Sequence, residues 1–194
     1  HSALDEWAQR NLLAQNAKSL AANNQAFSDK RRRERKEALS ITDIFRLDAI
    51  DLALKAKAKA GVIRDMTDLA DRTGLVYDPT TLFKELTARE EVASTAVGAG
   101  AAFLHPRYHD PYFFEESFVA YARSEREVFF GAPDGAPTRH FFLICSTDHD
   151  QHLHILARLA VLAHGTNLIE RLDEATEVNE VITILRECEA EYVK

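Results

Sequence analysis

The stretch AREEVASTAVGAGAAFLHPR, residues 88–107, decides how this chain folds. The residues that lead into it, 80–92, carry apolar side chains at helical spacing, and this pattern ends at the hydroxyl-bearing pair Ser94-Thr95. After two glycines, the apolar run 101–104 is typical of a short buried strand. The stretch therefore predicts a helix, a loop and a strand that ends at His105.

The loop and the ends of its neighbours carry the residue types that bind a tetrahedral anion. A guanidinium, hydroxyls and an imidazole can all bond to phosphate oxygens, and glycine lets the backbone approach closely. The candidates are Arg89, Ser94, Thr95, Gly98, Gly100 and His105. We therefore predict an anion site around the end of the strand.

The same residues resemble the active-site region of enzyme IIA (EIIA) proteins of the bacterial phosphotransferase system, in the fructose, mannitol and nitrogen-regulatory class. The family pattern falls on Arg89-Glu90, Ser94-Thr95, Gly98, Gly100 and His105, and the His-Leu pair that opens a downstream helix falls on His152-Leu153. The residue before the histidine is Leu104, where the family usually has proline, and proline follows the histidine as Pro106. The resemblance covers residues 40–193.

The resemblance implies a phosphocarrier that takes a phosphoryl group on His105 from the phosphorylated histidine-containing carrier protein. The other catalytic residues would be Arg89 and His152, and support for the phosphoryl group would come from Ser94, Thr95, Gly98 and Gly100. Histidine suits this chemistry, because a neutral ring nitrogen is available near neutral pH and the phosphoramidate is easily passed on. No Walker-type loop or acidic magnesium cluster is visible in the sequence, so we expect no metal and no other cofactor.

Two classes of function stay open at this point. The first is a phosphotransferase of the nitrogen-regulatory type that acts in signal transduction on an unknown regulatory target protein. Residues 1–194 show no sugar-specific IIB or membrane IIC pattern, and we therefore expect this class. The second is a regulatory or protein-interaction module that keeps the EIIA fold without phosphoryl transfer, as Leu104-His105-Pro106 suggests. A sugar-specific EIIA component is a further alternative.

The histidines also raise the competing hypothesis of a zinc site. His149, His152 and His154 are close together in the sequence, and His105 and His109 are further candidates for ligands. On a helix, His149 and His152 share a face while His154 points elsewhere. We therefore favour the phosphoryl site and expect no metal.

From residue 40 onward, strand and helix patterns alternate along the chain. Strands are predicted at 47–54, 101–104, 116–122 and 141–145, and helices at 55–73, 80–92, 150–164, 167–172 and 178–192. Gly74 is in the position of a C-terminal cap, and Asp78-Pro79 is typical of a helix start. The order matches that of the resembled family, so we expect an α/β fold, a three-layer α/β/α sandwich with a mixed sheet.

The charge distribution predicts a domain boundary near Ser40. Residues 1–40 hold eight Lys or Arg against five Asp or Glu, a net charge of +3. The remaining residues hold 16 against 26, a net charge of −10, and the two parts add to the −7 of the whole chain. We therefore predict a helical, basic extension at residues 1–39 and an EIIA-like domain at residues 40–194.

The extension suggests partners of its own. Residues 2–22 have the pattern of an amphipathic helix, and HSALDEWAQR at residues 1–10 resembles the closing helix of excisionase-type helix-turn-helix domains. That resemblance implies DNA binding through a missing N-terminal domain; the alternative is a docking or dimerising helix, and hence a homodimer. The basic run KRRRERK, residues 30–36, is interrupted by Glu34 and contains no aromatic residue, so we favour a solvated linker over a nucleic-acid contact.

Composition places the chain among globular proteins, with 46% hydrophobic residues in 194. No apolar run approaches the roughly 20 residues that span a bilayer, and no signal-peptide pattern is visible. We therefore expect a cytoplasmic protein with no membrane contact. Cys145 and Cys188 lie in an apolar and a helical run, which predicts reduced, buried thiols rather than a disulfide.

Overall fold

The computed structural model describes residues 40–107 and 113–192, and the structural statements below concern these residues. The predictions for the N-terminal extension, including its helix, its basic run and its resemblance to excisionase-type domains, lie outside the described residues. The same holds for His109, which the zinc hypothesis included.

Five strands and five α-helices form in the described part of the chain, and a short 3₁₀ helix, Ile41–Ile44, precedes the first strand. Every element predicted from residue 40 onward is present, and one further strand was missed. In chain order the elements are β1 Phe45–Leu54, α1 Lys59–Asp71, α2 Pro79–Val92, β2 Ala96–Gly98, β3 Ala101–Leu104, β4 Phe118–Val128, β5 Thr138–Cys145, α3 His149–Gly165, α4 Leu168–Glu174 and α5 Val178–Tyr192. The missed strand is β2, which falls in the predicted loop and is too short to show a periodic pattern.

The strands form one mixed sheet in the order β1-β4-β5-β3-β2. β1 pairs with β4 and β3 pairs with β5 in parallel, whereas the β4–β5 and β2–β3 pairs are antiparallel. Helices α1 and α2 pack on one face of the sheet, and α3, α4 and α5 pack on the other. The predicted three-layer α/β/α sandwich with a mixed sheet is confirmed. Among residues 40–107 and 113–192, no helix combines the length and hydropathy needed to cross a membrane.

Strand β3 lies inside the sheet, between β5 and β2, and all four of its residues are buried. Ala102 and Leu104 face the core that contains α1 and α2, while Ala101 and Phe103 face the core that contains α3 to α5. Burial on both faces explains why the strand reads as a continuous apolar run. Because side chains alternate along a strand, His105 continues the face of Phe103, toward α3.

The helices that flank the candidate site begin at capping aspartates. Asp78 accepts hydrogen bonds from the N–H groups of Thr80 and Thr81 at 3.0 and 3.1 Å, with Pro79 at the first helical position of α2. Asp148 caps α3 by accepting from the N–H of Gln151 at 2.8 Å. These caps fix where the two helices begin, and the start of α3 places His152 in its first turn.

The first described residues are tied to the last helix. The buried carboxylate of Glu189 in α5 accepts from the N–H of Ile41 at 2.9 Å and from the Thr42 hydroxyl at 3.0 Å. Ile41 and Thr42 are therefore part of the compact unit that begins at Ile41. The two free cysteines, Cys145 and Cys188, are buried as predicted.

Deletion of residues 1–39 should therefore leave a folded domain with cooperative thermal unfolding. Deletion of residues 1–44 should destabilise it, since Glu189 loses its N–H and hydroxyl donors from this segment, at about 1–3 kcal/mol for each buried group left unsatisfied. Urea titration of both truncations against the full chain measures the difference. Loss of cooperative unfolding in the shorter deletion would show that the boundary near Ser40 is misplaced.

A buried polar group lies at the edge of the sheet where β5 begins. The Tyr121 hydroxyl is 2.9 Å from Nδ1 of His140, and Nε2 of His140 is 3.3 Å from the Asp173 carboxylate of α4. Burial lowers the pKa of His140 to about 4, with the nearby guanidinium groups of Arg139 and Arg123 acting in the same direction and Asp173 acting against it. His140 is therefore neutral in the folded protein at neutral pH.

His140 should make the protein less stable as the pH falls. The unfolded chain binds a proton on this side chain below about pH 6.5, whereas the folded chain does not until about pH 4, so protonation favours unfolding in between. Between pH 7 and pH 5 the parent should lose about 2 kcal/mol more unfolding free energy than His140→Gln. Urea titrations at both pH values test this, with the exposed His164→Gln as control. Equal losses in the parent and His140→Gln would contradict the assignment.

Candidate functional site

His105 follows the last residue of β3 and is half-buried. Because β3 and β5 are parallel, their carboxyl ends meet at one edge of the sheet, and β5 leads there into α3. His152, in the first turn of α3, is only 4% exposed and brings its ring to 4.8 Å from the His105 ring, centroid to centroid, at an angle of 53°. The sheet topology thus pairs two histidines that are far apart in the sequence.

Both nitrogens of the His105 ring have defined neighbours. Nδ1 lies 2.9 Å from the backbone carbonyl oxygen of Phe103, and Nε of Arg89 lies 3.1 Å from Nε2. A carbonyl only accepts and a guanidinium only donates, so Nδ1 carries the proton and Nε2 presents its lone pair. Two neighbours of opposite character therefore select one tautomer of the neutral ring.

Arg89 reaches His105 from the last turn of α2. Its Nη1 donates to the carbonyl oxygen of Ala93 at 2.9 Å, which holds the guanidinium in place while Nε faces the histidine. The arrangement puts a permanent positive charge next to the unprotonated ring nitrogen. The structure thus brings together three of the predicted site residues, Arg89, His105 and His152.

Ser94 and Thr95 lie near these residues, but their hydroxyl protons are used elsewhere. Ser94 Oγ donates to the carbonyl oxygen of Phe130 at 2.7 Å, and Thr95 Oγ1 donates to the Glu90 carboxylate at 2.7 Å. The Thr95 carbonyl also accepts from the N–H of Phe103 at 3.0 Å, which joins the loop to β3. In this structure the two residues hold the strand that carries the histidine, and their role as direct phosphoryl donors stays a prediction.

Gly98 and Gly100 are not brought to His105. They lie in the β2–β3 turn, at the start of β3, and the four residues of the strand, about 13 Å in length, separate them from the histidine. Their positive φ angles of 85° and 76° build the turn, and a Cβ on Gly98 would come within 3.0 Å of the Asp134 carboxylate. In this structure the two glycines build the turn, and their role in supporting the phosphoryl group stays a prediction.

The position before the histidine departs from the family pattern without breaking the strand. Leu104 is buried and pairs with Leu143 of β5, so β3 continues to the residue just before His105. Pro106 falls after the end of the strand, where the ladder no longer needs its N–H. The Leu104-His105-Pro106 order is therefore compatible with His105 standing at the sheet edge.

Lys59 and Glu90 belong to the surroundings of the site and were not assigned a role from the sequence. Lys59 begins α1, and its Nζ lies 2.9 Å from the carboxylate of Glu90 in α2. Glu90 is part of the family pattern, which was the available signal. Lys59 lies 31 residues earlier, and no periodicity or motif links it to the site.

The zinc hypothesis finds no support in the described geometry. Within residues 40–107 and 113–192, no three His, Cys, Asp or Glu side chains are close enough together to bind a metal ion. His154 lies two residues after His152 on α3, and residues at this spacing do not share a face of a helix.

Comparisons with known proteins place this geometry in a family. The sequence model of the family described as "Phosphoenolpyruvate-dependent sugar phosphotransferase system, EIIA 2" matches residues 43–188. The "Nitrogen regulatory protein" of Bradyrhizobium diazoefficiens is 29% identical over 150 residues, which are 76% of this chain and 95% of that protein. The "PTS system fructose-specific EIIABC component" of Bacillus subtilis is 27% identical over 151 residues, 77% of this chain but 23% of that much longer protein.

A solved structure agrees with the sequence comparison. The crystal structure of nitrogen regulatory protein IIA-Ntr from Neisseria meningitidis superposes with a TM-score of 0.64 and 28% sequence identity, and the match covers 75% of this chain and 98% of that one. The family match contains the whole sheet together with Arg89, His105 and His152. This chain therefore belongs to the EIIA 2 family of the phosphoenolpyruvate-dependent sugar phosphotransferase system.

Proposed function

We propose that this chain is a phosphocarrier that accepts a phosphoryl group on Nε2 of His105. The observation that carries the proposal is the fixed tautomer. In it, Nδ1–H donates a hydrogen bond to the Phe103 carbonyl, and the lone pair of Nε2 faces Arg89. A neutral imidazole with a defined lone pair is the nucleophile that phosphoryl transfer requires. The donor is a phosphorylated histidine-containing carrier protein, as the family resemblance implies.

The bonds formed and broken in the transfer balance, and no proton leaves the acceptor histidine. Nε of Arg89 releases its hydrogen bond to Nε2, and the freed lone pair forms the new N–P bond. The N–P bond of the donor phosphohistidine breaks at the same time, and the donor ring keeps that electron pair. Nδ1 retains its proton throughout, in the hydrogen bond to the Phe103 carbonyl oxygen. Because such transfers involve little covalent work by the protein, alignment and charge stabilisation supply most of the catalysis.

Arg89 and His152 are the residues that stabilise the transferred group. Arg89 donates to Nε2 in this structure, and once that hydrogen bond is released the same guanidinium is near enough to donate to the oxygens of a phosphoryl group on Nε2. His152, with its ring 4.8 Å from that of His105, is a second donor at the same edge. Each charge-assisted hydrogen bond to a dianionic phosphoryl group contributes about 1.5–3 kcal/mol.

The biological role that fits best is regulation of the nitrogen type, in which phosphorylation of His105 signals to a target protein in the cytoplasm. The similarity to nearly the full length of a protein named nitrogen regulatory protein supports this assignment. A sugar-specific EIIA component is the second candidate, because a fructose-specific relative matches the same residues. Phosphorylation of this chain by a nitrogen-type or a fructose-type carrier protein, measured side by side, separates the two.

Incubation with phosphorylated carrier protein should label His105. Intact mass spectrometry should show one phosphoryl group that is acid-labile and base-stable, and heteronuclear NMR should place it on Nε2 rather than Nδ1. His105→Gln should abolish the label, whereas His164→Gln, at the far end of α3, should keep it. Labelling that persists in His105→Gln would refute the proposed acceptor, and no labelling of the parent by any carrier would favour the non-transferring interaction module.

Substitution of Arg89 and His152 should slow transfer without unfolding the protein. Arg89→Lys keeps the charge but loses the planar fork, and His152→Ala removes a donor beside the acceptor ring. Each should lower the single-turnover rate by about one to two powers of ten, the equivalent of one charge-assisted hydrogen bond. Stopped-flow or quench-flow rates of both variants test this, with thermal unfolding as the control. Rates within twofold of the parent for both would show that neither residue contacts the phosphoryl group.

A further inference from the structure

A buried carboxylate organises the loop between α2 and β2. The Glu90 side chain is 3% exposed and accepts three hydrogen bonds at its two oxygens. The N–H of Thr95 donates at 3.0 Å, the Thr95 hydroxyl at 2.7 Å, and Nζ of Lys59 at 2.9 Å. Glu90 thus closes the chain from the last turn of α2 to the start of β2.

Lys59 supplies the positive charge for this carboxylate. It stands at the first residue of α1, with its side chain about one-third exposed. Its ammonium group also lies 4.9 Å from the centre of the Phe130 ring, and the carbonyl oxygen of Phe130 accepts the Ser94 hydroxyl. Lys59 therefore joins α1, the α2–β2 loop and the segment that follows β4.

The loop closed by Glu90 is connected to Nε2 of His105. The carbonyl oxygen of Ala93 accepts from Nη1 of Arg89, whose Nε donates to Nε2. Ala93 lies between Glu90 and Thr95, which are bonded to each other, so their bonds fix where this carbonyl stands. The orientation of the guanidinium on the acceptor nitrogen thus depends on the closed loop.

The same loop is connected to Nδ1 of His105. The carbonyl oxygen of Thr95 accepts a hydrogen bond from the N–H of Phe103, and the carbonyl oxygen of Phe103 accepts one from Nδ1–H of His105. The peptide planes on either side of Phe103 are therefore anchored to the residue that Glu90 holds. Both hydrogen bonds that define the histidine tautomer lead back to the pair formed by Glu90 and Thr95.

From these contacts we propose that Lys59 is a positioning residue for phosphoryl transfer: by pairing with Glu90 it keeps the α2–β2 loop closed and so holds both ring nitrogens of His105. This inference rests on the proposed function of His105. Removing the ammonium group leaves a carboxylate of low exposure without its cation, and such a group draws in water or moves toward solvent. The Thr95 bonds then weaken, and with them the fixed orientation of Arg89 and Phe103.

The test compares Lys59→Met, which keeps the length of the side chain, with Lys59→Arg, which keeps the charge, and with Lys57→Met as the matched control on an exposed neighbour. Two-bond proton–nitrogen NMR spectra of the histidine rings report the tautomer of His105 without any phosphoryl donor. Lys59→Met should show a mixture of tautomers and a single-turnover rate lower by about tenfold or more, since small misplacements of reacting groups are costly. Lys59→Arg and Lys57→Met should resemble the parent.

A second variant and the choice of measurement distinguish an effect on folding from an effect on the His105 ring. Glu90→Gln has the shape of the native side chain and leaves no buried charge, so it should fold even where Lys59→Met does not, and its ring spectrum should shift in the same direction. A parent-like His105 spectrum in folded Lys59→Met or in Glu90→Gln would overturn the inference. If the parent itself accepts no phosphoryl group, the proposed function fails, and the ring spectra still decide whether Lys59 positions the histidine.

Discussion

The site depends on one constraint: the imidazole of His105 lies between a group that can only accept a hydrogen bond and a group that can only donate one. The carbonyl of Phe103 and the guanidinium of Arg89 leave a single neutral tautomer, with the lone pair on Nε2. A histidine free to rotate would divide its population between tautomers and orientations. In the phosphoryl transfer that we propose, preorganisation of this ring removes that loss before the donor arrives.

The fold meets this constraint by bringing distant segments to one sheet edge. The parallel β3–β5 pair places His105 beside the start of α3, and the Asp148 cap sets the turn that carries His152. Arg89 comes from the opposite helical layer, because α2 ends at the same edge and its last turn continues into β2. Helices on both faces of the sheet thus contribute to one histidine, which a two-layer arrangement would not allow.

The sequence predicts the parts of this arrangement that are local. Apolar periodicity locates β3 and both flanking helices, and the family pattern selects Arg89, His105 and His152. What the sequence could not predict depends on chain direction and tertiary contact. Gly98 and Gly100 are adjacent to the strand in sequence, yet they lie at its other end, and β2 is three residues long. Lys59 reaches Glu90 only because α1 and α2 pack on the same face of the sheet.

The Lys59–Glu90 pair also explains why a carboxylate is buried at this position, where burial of an apolar side chain would cost less free energy. An ion pair with one partner at 3% exposure contributes little to stability, because desolvation offsets much of the attraction. An apolar residue would fill the same space, but it could not accept two hydrogen bonds from Thr95 and so fix the direction of the loop. The carboxylate fixes the conformation of the loop rather than stabilising the fold, and the lysine compensates the buried negative charge. The phosphoryl transfer that we propose depends mostly on alignment, and its acceptor histidine therefore requires a fixed geometry of this loop.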